Sequence, residues 1–180
     1  PICSYNYQEG VIKTNDISKV NLKSNINHEM FKWLKVGANI SGNYLHNNRI
    51  PGANLGSTII GRAVQQRPFD RPYKPNGGYY TGGTDELLLH NAVQILSEET
   101  SYTDNYRFIG SFWAEAQIIK GLTVRASYNN DSAYTYDYIY YNQNHPYAAD
   151  KGRILDRNRF VMTNTIYLYA NYNRKIGEDF

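Results

Sequence analysis

The amino-acid sequence predicts an all-β fold, namely an antiparallel transmembrane β-barrel segment of about six strands with short periplasmic turns and long extracellular loops. Three observations support this prediction. Apolar and polar side chains alternate with a period of two along several stretches, as they do in half-buried strands. Short and long links between these stretches alternate along the chain. Tyrosine occurs 18 times, against 6 phenylalanines and 2 tryptophans, and phenol rings suit a boundary between apolar and aqueous surroundings.

The first predicted hairpin joins residues 19–28 to residues 34–45. Even-numbered residues in both stretches are mostly apolar or small, and odd-numbered residues carry amides, hydroxyls or charges. A short link at residues 30–33 connects the two stretches, as in a β-hairpin. The predicted register places Ile26 beside Val36 on the lipid side, since a slip of one residue would turn lysines toward hydrocarbon.

The second predicted hairpin joins residues 106–118 to residues 122–129. One face of each stretch is mainly apolar, and the other carries charges, amides and hydroxyls. We expect a three-residue turn at 119–121 whose glycine adopts a positive φ. On the inner face, this register places Glu115 opposite Arg125, which is a favourable pairing of opposite charges.

Two weaker stretches complete the predicted sheet, at residues 2–7 and 159–173. The longer links cover residues 8–18, 47–102 and 136–158. They alternate with the short links, so that all short turns gather at one end of the sheet. Because bacterial outer-membrane barrels have short periplasmic turns and long external loops, we predict that residues 47–102 form a long extracellular loop. A short helix is expected inside this loop at residues 57–66.

Composition excludes several other classes of protein. A mean hydropathy of -0.63 and the absence of an apolar run near twenty residues exclude a transmembrane helix. The net charge of +3 is spread along the chain without a basic cluster, so nucleic-acid binding is not expected. The lone Cys3 excludes an internal disulfide, and no catalytic frame or metal-ligand spacing is present. We therefore predict no enzyme activity, metal or cofactor, and expect His28 and His145 at the surface.

Several stretches resemble SusC/RagA-type TonB-dependent transporters, and they occur in the order found in that family. These stretches are residues 8–13, 33–41, 48–52, 67–73 and 91–96. The resemblance implies a plug domain inside a barrel of about 22 strands. It also implies energy supplied by TonB, a SusD-like lipoprotein as a lid, and import of oligosaccharides or peptides across the cell outer membrane. We expect residues 1–180 to be a partial barrel domain that contacts outer-membrane lipid, with the plug, and thus the contact with TonB, absent from this chain.

Two sets of loop residues are candidate contacts. Flat phenol rings on external loops suit stacking on a sugar or peptide cargo. The candidate cargo contacts are Tyr79, Tyr80, Tyr138 and Tyr140. The same rings also suit an interfacial belt or contacts with a lid protein. The candidate partner-contacting residues are Arg67, Phe69, Asp70, Arg71 and Tyr73.

Two alternative functions stay open at this point. One is an outer-membrane barrel or adhesin-like protein that binds a partner without transport. The other is a soluble lectin-like β-sandwich, although sandwiches use strands of about five or six residues. The nature of the cargo does not follow from the sequence.

Overall fold

The computed structural model describes residues 1–50, 59–80, 82–83, 89–148 and 151–174. Within these ranges the chain forms six strands and two short helices. The strands are β1 (Ile2–Glu9), β2 (Asp16–Phe31), β3 (Leu34–Asn48), β4 (Glu99–Ile119), β5 (Leu122–Tyr141) and β6 (Arg153–Tyr172). The helices are α1 (Ile59–Gln65) and α2 (Ala92–Glu98), both located between β3 and β4.

The strands form one antiparallel sheet in the order β1-β2-β3-β4-β5-β6, so that every strand pairs with its neighbours in the sequence. This confirms the predicted fold class. In the described part of the chain no second sheet packs on the first, which argues against a β-sandwich. The buried apolar side chains among the described residues, Ile59, Ile95 and Ala148, all lie outside the sheet. The sheet is therefore a single layer.

The links between strands gather at the two ends of the sheet as predicted. The turn end carries the two-residue turns at 32–33 and 120–121. The loop end carries the longer links at 10–15, 49–98 and 142–152. These three links are shorter than the predicted 8–18, 47–102 and 136–158, because the strands extend further toward the loop end.

The register of the first hairpin differs from the prediction by two residues. Ile26 pairs with Ala38 and not with Val36, and Lys23 pairs with Ser41. Strand β2 continues to Phe31, and an irregularity between Glu29 and Phe31 precedes a tight turn. A shift of two residues preserves the face on which each side chain lies, because the side-chain period of a strand is two.

The register of the second hairpin is confirmed. Glu115 pairs with Arg125, and Gly121 has a φ of +91° as expected. The predicted three-residue turn is wrong in one respect, since Ile119 belongs to β4 and pairs with Leu122 across a local irregularity. The turn itself contains Lys120 and Gly121 alone.

One helix was expected in the link at 49–98, and the described residues contain two. Helix α1 corresponds to the predicted helix at 57–66, of which residues 57 and 58 lie outside the described ranges. Helix α2 was not predicted. It begins after Asn91, whose side-chain oxygen accepts hydrogen bonds from the backbone N–H groups of Val93 and Gln94 at 3.1 and 3.3 Å. This is the normal cap of a helix N-terminus.

Candidate functional site

The sheet has an outer face on which apolar side chains predominate. One row of partners across four strands, Ala38, Phe112, Tyr128 and Ile166, is typical of this face. The pairing of Phe112 with Tyr128 confirms the predicted register there. The three large side chains of this row, Phe112, Tyr128 and Ile166, remain exposed, with Ile166 at 76% of its maximum. Because a single layer leaves these groups uncovered, the outer face is the one that lipid covers in a barrel.

An aromatic row crosses the outer face toward the loop end. Its members lie at matching positions of four strands and are Tyr44, Tyr106, Tyr134 and Phe160. Ring centroids are 4.8 Å apart for Tyr44 and Tyr106, and 6.2 Å apart for Tyr106 and Tyr134. Strand β3 begins at Leu34, at the turn end, and Tyr44 of this row lies ten residues further along the strand. At about 3.3 Å per residue and a tilt near 45°, that distance corresponds to a band about 23 Å high, as in barrel girdles.

Two of the candidate cargo contacts lie elsewhere than predicted. Tyr138 and Tyr140 were expected on a loop, but both belong to β5 and lie on the outer face beyond the aromatic row. Tyr138 stacks on Tyr102 with centroids 5.1 Å apart, and Tyr102 also contacts Tyr136 at 6.0 Å. This placement favours the interfacial interpretation of the two tyrosines, since their face continues the lipid-facing surface.

The opposite, luminal face carries most of the charged side chains of the sheet. Arg107 donates from Nε and Nη2 to the two carboxylate oxygens of Asp131 at 2.9 and 2.6 Å. This two-point geometry fixes both side chains on neighbouring strands. On the strands beside them, Asn25 lies opposite Asn39 and Lys23 opposite Ser41. The luminal face is thus a polar wall with ordered ion pairs.

A second luminal group lies nearer the turn end. The Arg125 guanidinium lies 4.3 Å from the centroid of the Trp113 ring, and its Nη1 lies 3.6 Å from Glu115 Oε2. The indole covers Gly37 on β3 so closely that a Cβ there would collide with the ring. The absence of a side chain at residue 37 therefore permits the tryptophan to lie flat on the sheet.

Two of the three links at the loop end, 49–98 and 142–152, share a buried polar cluster with the start of β4, and the sequence did not predict it. His145 is 2% exposed, which corrects its expected place at the surface. Its Nε2 lies 3.5 Å from Glu99 Oε2, and its ring lies 4.6 Å from that of Tyr141. The nearby Gln94 donates to the carbonyl oxygen of Asn144 at 2.7 Å. These contacts dock the 142–152 link on α2 and the start of β4.

His90 connects this cluster to α1. Its ring contacts that of Tyr147 edge-on at 4.9 Å, and Arg62 Nη2 donates to the Tyr147 hydroxyl at 3.3 Å. Burial lowers the pKa of His90 below its ordinary value, and the positive charge of Arg62 and the neighbouring His145 lower it further. The His90 ring is consequently neutral in the folded loops, where it packs against Tyr147.

Part of the predicted partner-contacting segment maintains the loop structure. Arg67 Nη2 lies 2.7 Å from Asp70 Oδ1, and the Asp70 side chain is only 2% exposed. The Arg67 guanidinium also lies 4.8 Å from the centre of the Phe69 ring. A buried carboxylate with this partner stabilises the bend between α1 and the residues that follow.

Other residues of the same segment are available for contact. Phe69 is 70% exposed and Tyr73 is 53% exposed, and Arg71 is also exposed. Tyr73 pairs with Tyr79 in an isolated antiparallel bridge, with ring centroids 5.6 Å apart. The Asn91 side chain secures the end of this bridge, because its amide donates to the carbonyl oxygens of Pro72 and Tyr80 at 2.6 and 3.3 Å. Tyr79 and Tyr80 thus lie on a folded loop, as predicted.

Two features are absent from the described residues. No helix in those ranges is long and apolar enough to cross a membrane. No group of three or more His, Cys, Asp or Glu side chains there is arranged to hold a metal ion. Cys3 is a free, exposed cysteine.

An antiparallel succession of long strands, apolar outside and polar inside, with loops gathered at one end, is the wall of a transmembrane β-barrel. Comparison with known proteins points to one kind of barrel. The chain is 26% identical over 133 residues to a TonB-dependent receptor from Formosa agariphila. The aligned region covers 71% of this chain and 13% of that protein. No family model matches the sequence.

Solved structures agree on the fold. The RagAB peptide importer in its "closed-closed" state superposes with a TM-score of 0.74, and in its "open-open" state with 0.73. Each match is 23% identical and covers 98% of this chain and 20% of the other. The predicted likeness to SusC/RagA-type TonB-dependent transporters is confirmed. This chain spans only 13% to 20% of the length of these relatives.

Proposed function

We propose that this chain is part of the barrel of a TonB-dependent transporter in the cell outer membrane, which imports oligosaccharides or peptides with a SusD-like lipoprotein. The observation that carries the proposal is the two-faced, single-layer sheet with folded loops at one end. A polar wall with ordered ion pairs suits a hydrated lumen, and an apolar outer face suits lipid. TonB would act through a plug domain, so no residue of this chain is assigned to energy coupling.

The external loops support the assignment of a protein partner. Helices α1 and α2 pack together with the segment at 67–80 and present apolar side chains to solvent. Val64 is 80% exposed and Ile60 is 53% exposed, on the same loop as Phe69 and Tyr73. Clustered apolar groups of this kind are typical of protein contact sites. A lipoprotein lid that closes over the barrel mouth is the partner that fits this position.

The role of the candidate tyrosines follows from their position. Tyr79 and Tyr80 lie on the folded external loop, where they suit contact with cargo or lid. Tyr138 and Tyr140 lie on the outer face of β5, so they suit the lipid headgroup region or the lid better than a cargo in the lumen.

The proposal is tested in the full-length transporter expressed with its lipoprotein. We expect the pair of changes Phe69→Asp and Tyr73→Asp to abolish copurification of the lipoprotein and to reduce uptake of the cognate nutrient. The barrel should remain assembled, as judged by heat-modifiable migration on gels. The matched control is Val11→Asp, which alters a fully exposed apolar residue in another link at the same end of the sheet. Unchanged lid binding and uptake in the double variant would contradict the proposed docking role of this loop.

A further inference from the structure

A cluster of polar and aromatic side chains continues the outer face beyond the aromatic row, toward the loop end. We call it the headgroup cluster, and it consists of His46, Tyr102, Asp104, Tyr136 and Tyr138. Its members lie two to four residues past the aromatic row on β3, β4 and β5. At about 3.3 Å per residue and a tilt of about 45°, that displacement is about 5–9 Å, which is the depth of lipid headgroups. Each of these three strands is hydrogen-bonded to a neighbour on both sides within this chain.

The members of the headgroup cluster contact one another. His46 Nδ1 lies 2.7 Å from Asp104 Oδ1, and the centroids of the His46 and Tyr102 rings are 5.5 Å apart. The Tyr102 ring in turn lies 5.1 Å from that of Tyr138 and 6.0 Å from that of Tyr136. Asp104 lies directly opposite Tyr136 in the register. All five residues are half-buried, so a ligand that approaches this face meets a carboxylate beside three phenol rings.

The positive charges of the sheet lie on its other face. Within the six strands, every lysine and arginine has the luminal orientation, and these residues are Lys19, Lys23, Lys35, Arg107, Arg125, Arg153, Arg157 and Arg159. Luminal carboxylates have arginine partners, as in the pair of Asp131 with Arg107. The outer face of the described strands therefore supplies no lysine or arginine to the headgroup cluster.

Asp104 has only neutral or titratable partners. Its Oδ1 accepts a hydrogen bond from the Tyr44 hydroxyl at 2.9 Å and contacts the imidazole of His46. A phenol is uncharged, and an imidazole is charged only in acid. In the part of the chain that the structure describes, no donor reaches Asp104 Oδ2, and this oxygen is not among the buried atoms. A ligand can consequently reach one free carboxylate oxygen.

The composition of the headgroup cluster distinguishes between kinds of headgroup. A headgroup with a net negative charge would be repelled by the carboxylate, and no cation on this face offsets that repulsion. An ammonium group donates charge-assisted hydrogen bonds to a carboxylate and is attracted to aromatic rings. Sites that recognise ammonium ligands through aromatic side chains use the same attraction.

We propose that the headgroup cluster binds the ammonium group of an outer-leaflet lipid whose headgroup ends in a primary amine. The inference goes beyond the proposed transport function, since it requires only that the sheet lies in a membrane with its loop end outside. A primary amine donates hydrogen bonds that a quaternary amine lacks. We therefore expect an ethanolamine headgroup to bind better than choline, and choline better than the anionic glycerol headgroup.

The test uses the full-length transporter with its lipoprotein, reconstituted in an equimolar mixture of phosphatidylethanolamine, phosphatidylcholine and phosphatidylglycerol with identical acyl chains. After partial delipidation, the lipids that remain bound are identified by native mass spectrometry. We expect phosphatidylethanolamine to be retained most and phosphatidylglycerol least. Asp104→Asn removes the charge but keeps an acceptor for Tyr44, and it should lower the ratio of bound ethanolamine lipid to glycerol lipid about threefold. Changing Tyr102→Leu and Tyr138→Leu together should also lower this ratio, because the rings are lost while apolar bulk remains.

The matched control is Asp131→Asn, which removes a carboxylate from the luminal face of β5 and should leave the lipid ratio unchanged. Heat-modifiable migration on gels checks that every variant is assembled. The inference is overturned if the unaltered transporter retains the three lipids equally, or if Asp131→Asn changes the ratio as much as Asp104→Asn does. It is also overturned if Asp104→Asn releases the lipoprotein without changing the ratio, because the cluster is then a lid contact. Failure of the transport proposal is distinguishable, since uptake and lipoprotein copurification are measured separately from the lipid ratio.

Discussion

An arginine introduced at residue 40 should destabilise the barrel strongly, whereas one at residue 39 should not. Both residues lie near the middle of β3, and Ile40 belongs to the outer face while Asn39 belongs to the luminal face. The apolar band extends from Leu34 to the aromatic row at Tyr44, so its midpoint lies at residue 39. One residue contributes about 2 Å of depth at a tilt of 45°, which places Ile40 within about 2 Å of the midplane.

The magnitude follows from this depth. A lipid-facing arginine at the midplane of a barrel costs about 2–4 kcal/mol, and the cost falls toward zero at the interfaces. We therefore expect Ile40→Arg to lower the free energy of unfolding by about 2–4 kcal/mol. Asn39→Arg should change it by less than about 0.5 kcal/mol, because a hydrated luminal position imposes no comparable desolvation.

The measurement is equilibrium unfolding by guanidinium chloride of the full-length protein in phospholipid vesicles. A second pair, Ile26→Arg on the outer face and Asn25→Arg on the luminal face, repeats the comparison on β2. Equal losses within both pairs would refute the assignment of the two faces. Larger losses at Asn39 and Asn25 would mean that the assignment is reversed.

Three further outcomes are expected. Gly121→Val should destabilise by about 1–3 kcal/mol in denaturant titrations, because φ there is +91° and the new Cβ would collide with a backbone carbonyl, while Lys120→Ala should be nearly neutral. A double-mutant cycle between Glu115 and Arg125 should give a coupling of about 0.2–1 kcal/mol that shrinks in high salt; zero coupling at low salt would contradict it. The protection factors of the α2 amides, in which the intrinsic slowing of exchange in acid is corrected for, should fall as pH falls below 6.5 and through the lower folded pKa of His90, since the neutral form stabilises the docked loops above 6.5. His90→Gln should remove that pH dependence.

The faces of the sheet could be predicted from sequence more reliably than its register. The second hairpin was placed correctly because Gly121 marks a tight turn and leaves little freedom in the pairing. The first hairpin has no glycine at its turn, and the irregularity between Glu29 and Phe31 was not visible in the pattern. The resulting error of two residues left Ile26 on the correct face, because parity alone determines the face.

Strand ends beyond the lipid boundary were harder to predict. Tyr138 and Tyr140 alternate with Asp137 and Ile139, but the outer face there is no longer apolar, so hydropathy ceases to distinguish outside from inside. The buried His145 was missed for a different reason. Its partners Glu99 and Tyr141 come from separate strands that only the folded chain brings together, and no local signal marks such a contact.

Each strand pairs with its sequence neighbours, so a link can change in length without any change in the pairing of the strands. Each pair of neighbouring strands can form once the single link between them brings its two ends together. The entropic cost of bringing those ends together grows only with the logarithm of the link length. By that relation, the link at 49–98 costs only about 1.3 kcal/mol more than the one at 142–152. Insertion of a helical subdomain at the loop end is therefore almost neutral for the sheet. The loops that contact partners can therefore change during evolution while the strand pairing of the sheet stays the same.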